Sequence, residues 1–283
     1  MPGNGLHLLA LDGGGVRGLS SLMILRRLMA TVDPDAPPKP YDYFDMIGGT
    51  STGGLIAIML GRLRMTVNEC IDAYTTLSDR VFEKKSHRVD IKGKLQGRFD
   101  SAELKHAVRN ILISRGLRED ALLKDPNSPY KVDTICLTNY CSPRSDNSNL
   151  LNATTIWQAC RVTSATITFF DPITIGPFNE QFVDRALSMN NPGGQLRGSL
   201  KCLVSISTSI PALKPVRDDT EKTAQQFYRD KSDLDDKGRY YQFNVNHGLE
   251  EIRLKESKKK TEITATTRRY IKAYVNNIAR REC

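Results

Sequence analysis

Two apolar segments, residues 7–12 and 44–48, each run into a glycine-rich turn and then into an apolar helical stretch. This repeated unit constrains the fold more than any other feature. Successive strand–turn–helix units build neighbouring strands of one sheet, with both turns at the same end. The second turn, Gly49-Thr50-Ser51-Thr52-Gly53, fits G-x-S-x-G and is followed by the apolar run 55–60. A serine at the tip of a tight strand-to-helix turn stands clear of the sheet. Gly49 and Gly53 on either side let the backbone bend and the helix pack close behind it. The helix start brings unpaired N–H groups and the positive end of its dipole near Oγ, where a developing oxyanion needs them. Glycine–serine strings also occur in ordinary loops; the apolar strand before this one and the helix after it favour a nucleophile.

The first turn, Gly13-Gly14-Gly15-Val16-Arg17-Gly18, admits two uses. It is a literal G-x-G-x-x-G between strand and helix, the pattern that cradles a dinucleotide pyrophosphate. Such a site needs an acidic residue about 20 positions on, at the end of a second strand. Asp33 has the distance but stands in a proline-rich loop directly after a helix. The other use is an oxyanion hole, because consecutive glycines leave backbone N–H groups unobstructed at a helix start. On neighbouring strands, one turn would present Ser51 and the other the donors, each worth about 3–4 kcal/mol of transition-state stabilisation. A nucleotide P-loop is excluded, since no G-K-[ST] occurs.

The remaining pattern alternates strands and helices. Helices are expected over residues 19–31, 66–82 (with Thr66 as N-cap), 101–115, 154–164 and 261–279, and strands over 130–138, 201–207 and a short segment ending at Val183-Asp184. In the last helix Ile263, Tyr270, Ile271, Tyr274 and Ile278 share one face. Ser101 and Glu103 miss a capping box by one position. The expected fold is α/β, three-layered, with a mainly parallel sheet flanked by helices.

The 283 residues suffice for one large domain or two small ones. The longest apolar run, 55–60, is far short of the 18–20 residues of a membrane span. The chain start runs straight into a strand, so no signal peptide is expected. Six scattered cysteines lack metal-ligand spacing, so reduced thiols in a cytoplasmic protein are expected. Of the net charge of +9, residues 252–281 carry +8, from ten Lys/Arg and two Glu. That stretch reads as a solvated helix face or as a weak attraction toward anionic lipid, with no motif for nucleic acid.

Ser51 needs a base. His7, His87 and His106 fall in structural contexts, a strand start, a basic loop and a helix face. His247 follows Asp184, so Ser51…Asp184…His247 matches the chain order of an α/β-hydrolase triad, although only one strand here precedes the nucleophile strand.

Taken together, the segments Asp12-Gly13-Gly14-Gly15-Val16-Arg17-Gly18, Gly49-Thr50-Ser51-Thr52-Gly53-Gly54 and Phe182-Val183-Asp184 with Asn190-Asn191-Pro192 resemble the patatin-like phospholipases, lipid acyl hydrolases. The resemblance covers about residues 5–215, and the stretches 43–66 and 155–172 are most similar to fungal members. It implies a Ser–Asp dyad cleaving acyl esters of phospholipids or related lipids, without a metal or other cofactor. Ser51 would be the nucleophile, Asp184 the base, and the N–H groups of Gly13, Gly14 and Gly15 the oxyanion hole, with Arg17 steadying that loop. Residues 1–215 would form the catalytic domain and 216–283 a helical, basic extension of it. The expected partner is a lipid substrate at a membrane or micelle surface, met by a cytoplasmic protein that is peripheral on the membrane. Additional signalling domains or partners would suit the fungal pattern.

Two positions depart from the family. Arg185 stands where the family has glycine after the aspartate; it adds bulk, and a guanidinium there favours ionised Asp184 and weakens it as a base. Ser207-Thr208-Ser209 stands where relatives tend to flank the threonine with glycines. The alternative function is therefore a catalytically weakened lipid-sensing or signalling module.

Overall fold

A computed structural model describes residues 5–81, 99–125, 150, 152–165, 170–176, 179–182, 200–207, 238–245, 248–249, 252 and 256–275. The described elements are β1 (Leu6–Leu11), α1 (Gly18–Val32), α2 (Pro40–Tyr43), β2 (Met46–Gly49), α3 (Thr52–Ala57), α4 (Val67–Val81), α5 (Ser101–Ser114), α6 (Ile156–Thr163), β3 (Ile173–Ile175), β4 (Glu180–Phe182), β5 (Leu200–Ser207), β6 (Tyr240–Asn244) and α7 (Lys260–Tyr270). Four of the strands form a parallel sheet in the order β2-β1-β5-β6, flanked by helices, while β3 and β4 pair as a separate antiparallel ribbon.

β1 lies inside the sheet, and its side chains alternate between two buried faces. Leu9 and Leu11 join the main core with Ile24, Ile56, Val204, Ile206 and Phe243. Leu8 and Ala10 join a second cluster with Leu203 and Tyr240. A near-continuous apolar strand is what a parallel strand covered on both sides requires. Each fully buried leucine contributes about 1.5–3 kcal/mol of transfer free energy.

α1 buries Leu22, Ile24, Leu25 and Met29 against the sheet and ends at Asp33. The Asp33 Oδ1 there accepts from the amides of Asp35 and Ala36, and Pro34, Pro37 and Pro38 prevent continuation. α4 starts at a reciprocal cap: the Glu69 amide donates to Thr66 Oγ1 at 3.2 Å, and the Thr66 amide donates to Glu69 Oε2 at 2.8 Å. α5 is capped by Asp100, whose Oδ1 accepts from the Ala102 amide at 2.7 Å. Counted from Asp100, Glu103 falls at the third helical position, so the apparent offset from Ser101 disappears. Thr155 and Gln158 close a capping box on α6.

β6 and the end of α7 differ from the sequence reading in local geometry. β6 is the outermost of the described strands on the β5 side, and the sequence pattern does not mark it as a strand. α7 passes into a π-type turn at Ile271–Val275, which inserts an extra residue into the helical period. Tyr274 therefore leaves the apolar face and is 58% exposed. The expected strand at 130–138 lies outside the described residues.

Candidate active site

The register of the sheet builds the site. Leu11 of β1 pairs with Gly49 of β2, so the two strands end level and their glycine turns emerge side by side. The Thr50 amide donates to the Leu11 carbonyl at 3.1 Å, carrying the pairing one residue past β2.

Ser51 follows with φ 55° and ψ −125°. That region is costly for a residue with a Cβ, by about 1–3 kcal/mol, and persists only where the surroundings enforce it. Here they do. The Gly54 and Leu55 amides donate to the Ser51 carbonyl from the first turn of α3, and Thr163 Oγ1 of α6 donates to it at 3.0 Å. The flanking glycines are required by contact. A Cβ on Gly53 would stand 2.7 Å from the Asp12 carbonyl oxygen, and one on Gly49 would stand 2.7 Å from the Gly54 amide nitrogen. α3 thus lies directly on the end of β1, and Ser51, half-buried, occupies the bend.

The first glycine turn lies against the second. The Gly14 amide donates to Thr52 Oγ1 at 3.0 Å in a buried bond. Gly15, at φ 55°, is half-buried while Gly13, Gly14 and Val16 are buried. Its carbonyl accepts from the hydroxyl of Tyr74 on α4 and from the Gly18 amide. Its own N–H donates to no group among the described residues. Arg17 is fully buried, and its Nε and Nη2 donate to the Ile252 carbonyl at 3.0 and 2.5 Å. The loop is thereby tied to a segment 235 residues further along the chain.

Asp12 closes β1 beneath both turns. It is buried, and neither carboxyl oxygen meets a hydrogen-bond partner among the described residues. Burial pushes its pKa up to about 8; the neighbouring Ser207 hydroxyl favours the ionised form but lacks the geometry to offset the lost hydration. At neutral pH Asp12 is chiefly a neutral acid.

The residues brought together are therefore Gly13, Gly14, Gly15, Arg17, Gly49, Ser51 and Gly53. Asp184, Arg185 and His247 lie outside the described residues. Among the described residues the acid of a dinucleotide site is missing: Asp33 is exposed in the turn after α1, and β2 ends at Gly49 and leads into the Ser51 turn. Sequence reasoning assigned no task to Thr52, Tyr74, Thr163 or Asp12. Thr52 sat inside the motif as a variable position, and Tyr74 carried only a core-facing signal.

The sequence profile of the patatin-like phospholipase family matches residues 9–196, and the chain belongs to that family. Calcium-independent phospholipase A2-gamma of Homo sapiens is 31% identical over 217 residues, 71% of this chain and 27% of that protein. Phospholipase A I of Arabidopsis thaliana is 26% identical over 285 residues, 75% of this chain and 21% of that protein. A patatin of Solanum tuberosum is 29% identical over 177 residues, 60% of this chain and 44% of that protein. The chain thus spans about a quarter of the length of the two phospholipases.

Proposed function

We propose that the chain is a serine lipid acyl hydrolase, cleaving acyl ester bonds of phospholipids or related lipids through an acyl-Ser51 intermediate. The observation that carries this reading is the left-handed backbone of Ser51 on a turn level with the glycine loop of the adjacent strand. Family membership and relatives that bear phospholipase names support the lipid substrate.

In this mechanism Asp184 accepts the Ser51 hydroxyl proton as Oγ bonds to the ester carbonyl carbon. The displaced π pair collects on the carbonyl oxygen, opposite the glycine-loop amides. Collapse breaks the bond to the leaving alcohol, which takes the proton back from Asp184. Water then repeats the sequence on acyl-Ser51 and releases the fatty acid. No helix among the described residues is long and apolar enough to cross a membrane. Lipid would be met at an interface from the cytoplasmic side, where the exposed Arg268, Arg269 and Lys272 of the α7 region attract anionic headgroups.

The test is release of fatty acid from mixed phospholipid–detergent micelles by wild type, Ser51→Ala and Asp184→Asn. Wild type should turn over, and each variant should lose at least about 10³-fold in kcat. Equal rates in wild type and Ser51→Ala contradict the reading.

A second reading, a weakened lipid-sensing module, rests on Arg185 directly after Asp184. It requires Arg185→Gly to raise turnover by an order of magnitude or more. An unchanged or lower rate favours a working site adapted to arginine.

A further inference from the structure

The Gly14–Gly15 pair is held at both ends by hydroxyl groups from elsewhere in the fold. At one end the Gly14 N–H donates to Thr52 Oγ1; at the other the Gly15 carbonyl accepts from the Tyr74 hydroxyl. Tyr74 spends its only proton on the Gly15 carbonyl, and Thr52 Oγ1 accepts from the Gly14 N–H. Burial pushes the Tyr74 phenol well above its ordinary pKa, so it remains a donor throughout the working range.

Clamping the two ends fixes the peptide between them. The Gly14 carbonyl accepts from the Arg17 amide at 3.1 Å and is turned into the first turn before α1. A trans peptide directs its N–H opposite to its C=O. The Gly15 N–H is therefore aimed away from that turn, on the half-buried side of the loop, while the Gly14 N–H, the Gly14 C=O and the Gly15 C=O are all engaged. Thr52 is also the residue that follows Ser51, so the same side chain fixes the loop relative to the nucleophile.

We propose that Thr52 and Tyr74 are positioning residues that hold the Gly15 amide as the principal oxyanion donor, with the Gly14 amide serving the brace. Neither touches the reacting atoms. This inference rests on the hydrolase reading, and it adds two residues to the working site and separates the Gly14 and Gly15 amides by task.

Tyr74→Phe keeps the ring and removes the hydroxyl, and Thr52→Val keeps the shape and removes the hydrogen bonds. Each should lower kcat for a soluble thioester or p-nitrophenyl ester by about 10–100-fold, the range for a misplaced catalytic group, with KM within about twofold. Thr52→Ser, which restores a hydroxyl, should recover most of the Thr52→Val loss. Rates are expressed per site titrated by a fluorophosphonate, so a variant that merely folds poorly loses titratable sites without losing kcat. Variant and wild-type kcat values that agree within twofold per titrated site overturn the proposal. Amide hydrogen exchange provides a readout independent of catalysis: the Gly14 amide should be protected in wild type and exchange at least tenfold faster in Thr52→Val. If wild type neither hydrolyses esters nor takes up the probe, the hydrolase reading fails, and equal Gly14 exchange in wild type and Thr52→Val then overturns the brace as well.

Discussion

Leu11 and Gly49 stand opposite each other in the pairing of β1 with β2, and each is the last residue of its strand. A shift of one residue would put the glycine loop and the serine turn on different levels and reverse which side chains face each core. The apolar alternation of β1 makes such a slip costly, because Leu8, Leu9, Ala10 and Leu11 are all fully buried.

The close approach of α3 to β1 should be intolerant of even one methyl group at Gly53. A Cβ there stands 2.7 Å from the Asp12 carbonyl oxygen and from the Leu11 carbonyl carbon, both backbone atoms with little room to move. We expect Gly53→Ala to destabilise the fold by about 2–3 kcal/mol, the upper range for overpacking. Urea unfolding measures this; a midpoint equal to wild type would mean that α3 can move away from the strand.

Arg17 should matter to stability through its bonds to the Ile252 carbonyl. Replacing the guanidinium by an apolar chain in Arg17→Met leaves the Ile252 carbonyl without the two N–H donors it now has. The expected loss is about 2–3 kcal/mol, as for a buried acceptor stripped of a charged donor. Differential scanning calorimetry should show it, and an unchanged melting temperature would contradict the assignment.

Asp12 makes stability pH-dependent with a definite sign. Its folded pKa of about 8 lies above the ordinary carboxyl value, so the folded chain retains a proton that the unfolded chain releases. Stability from this group is full below about pH 4 and is lost as pH rises toward 8, by up to about 1.4 kcal/mol per pH unit. Above that point the folded state ionises as well and the loss levels off. Asp12→Asn removes the dependence, so its stability relative to wild type should improve between pH 5 and pH 8. Parallel urea midpoints for the two proteins across that range would contradict a neutral Asp12.

His247 has no place in a Ser–Asp dyad. His247→Ala should keep kcat/KM within about threefold of wild type, whereas removing the base of a triad costs 10⁴-fold or more. A loss on that scale would restore the triad reading.

The strand-turn-helix units were legible because local signals and tertiary demands coincide in them. Glycines sit where backbones touch, and apolar runs sit where both faces of a strand are covered. Features that depend on distant partners were not legible. The hydroxyl of Tyr74 meets Gly15 across 59 residues, and helical spacing alone marks that side chain only as core. β6 reads Tyr-Tyr-Gln-Phe-Asn, with neither clean alternation nor a continuous apolar run, and it becomes a strand by pairing with β5. The exposure of Tyr274 follows from a π-type turn, which a pattern with a fixed 3.6-residue period does not anticipate. The serine elbow needed only its own five residues and the segments on either side.

The central claim is that Ser51 is an activated nucleophile, and intact-protein mass spectrometry after treatment with a fluorophosphonate tests it most directly. One adduct per chain, mapped by peptide sequencing to Ser51 and absent from Ser51→Ala, is the predicted result. No adduct on folded wild-type protein, or an adduct that persists in Ser51→Ala, would contradict it.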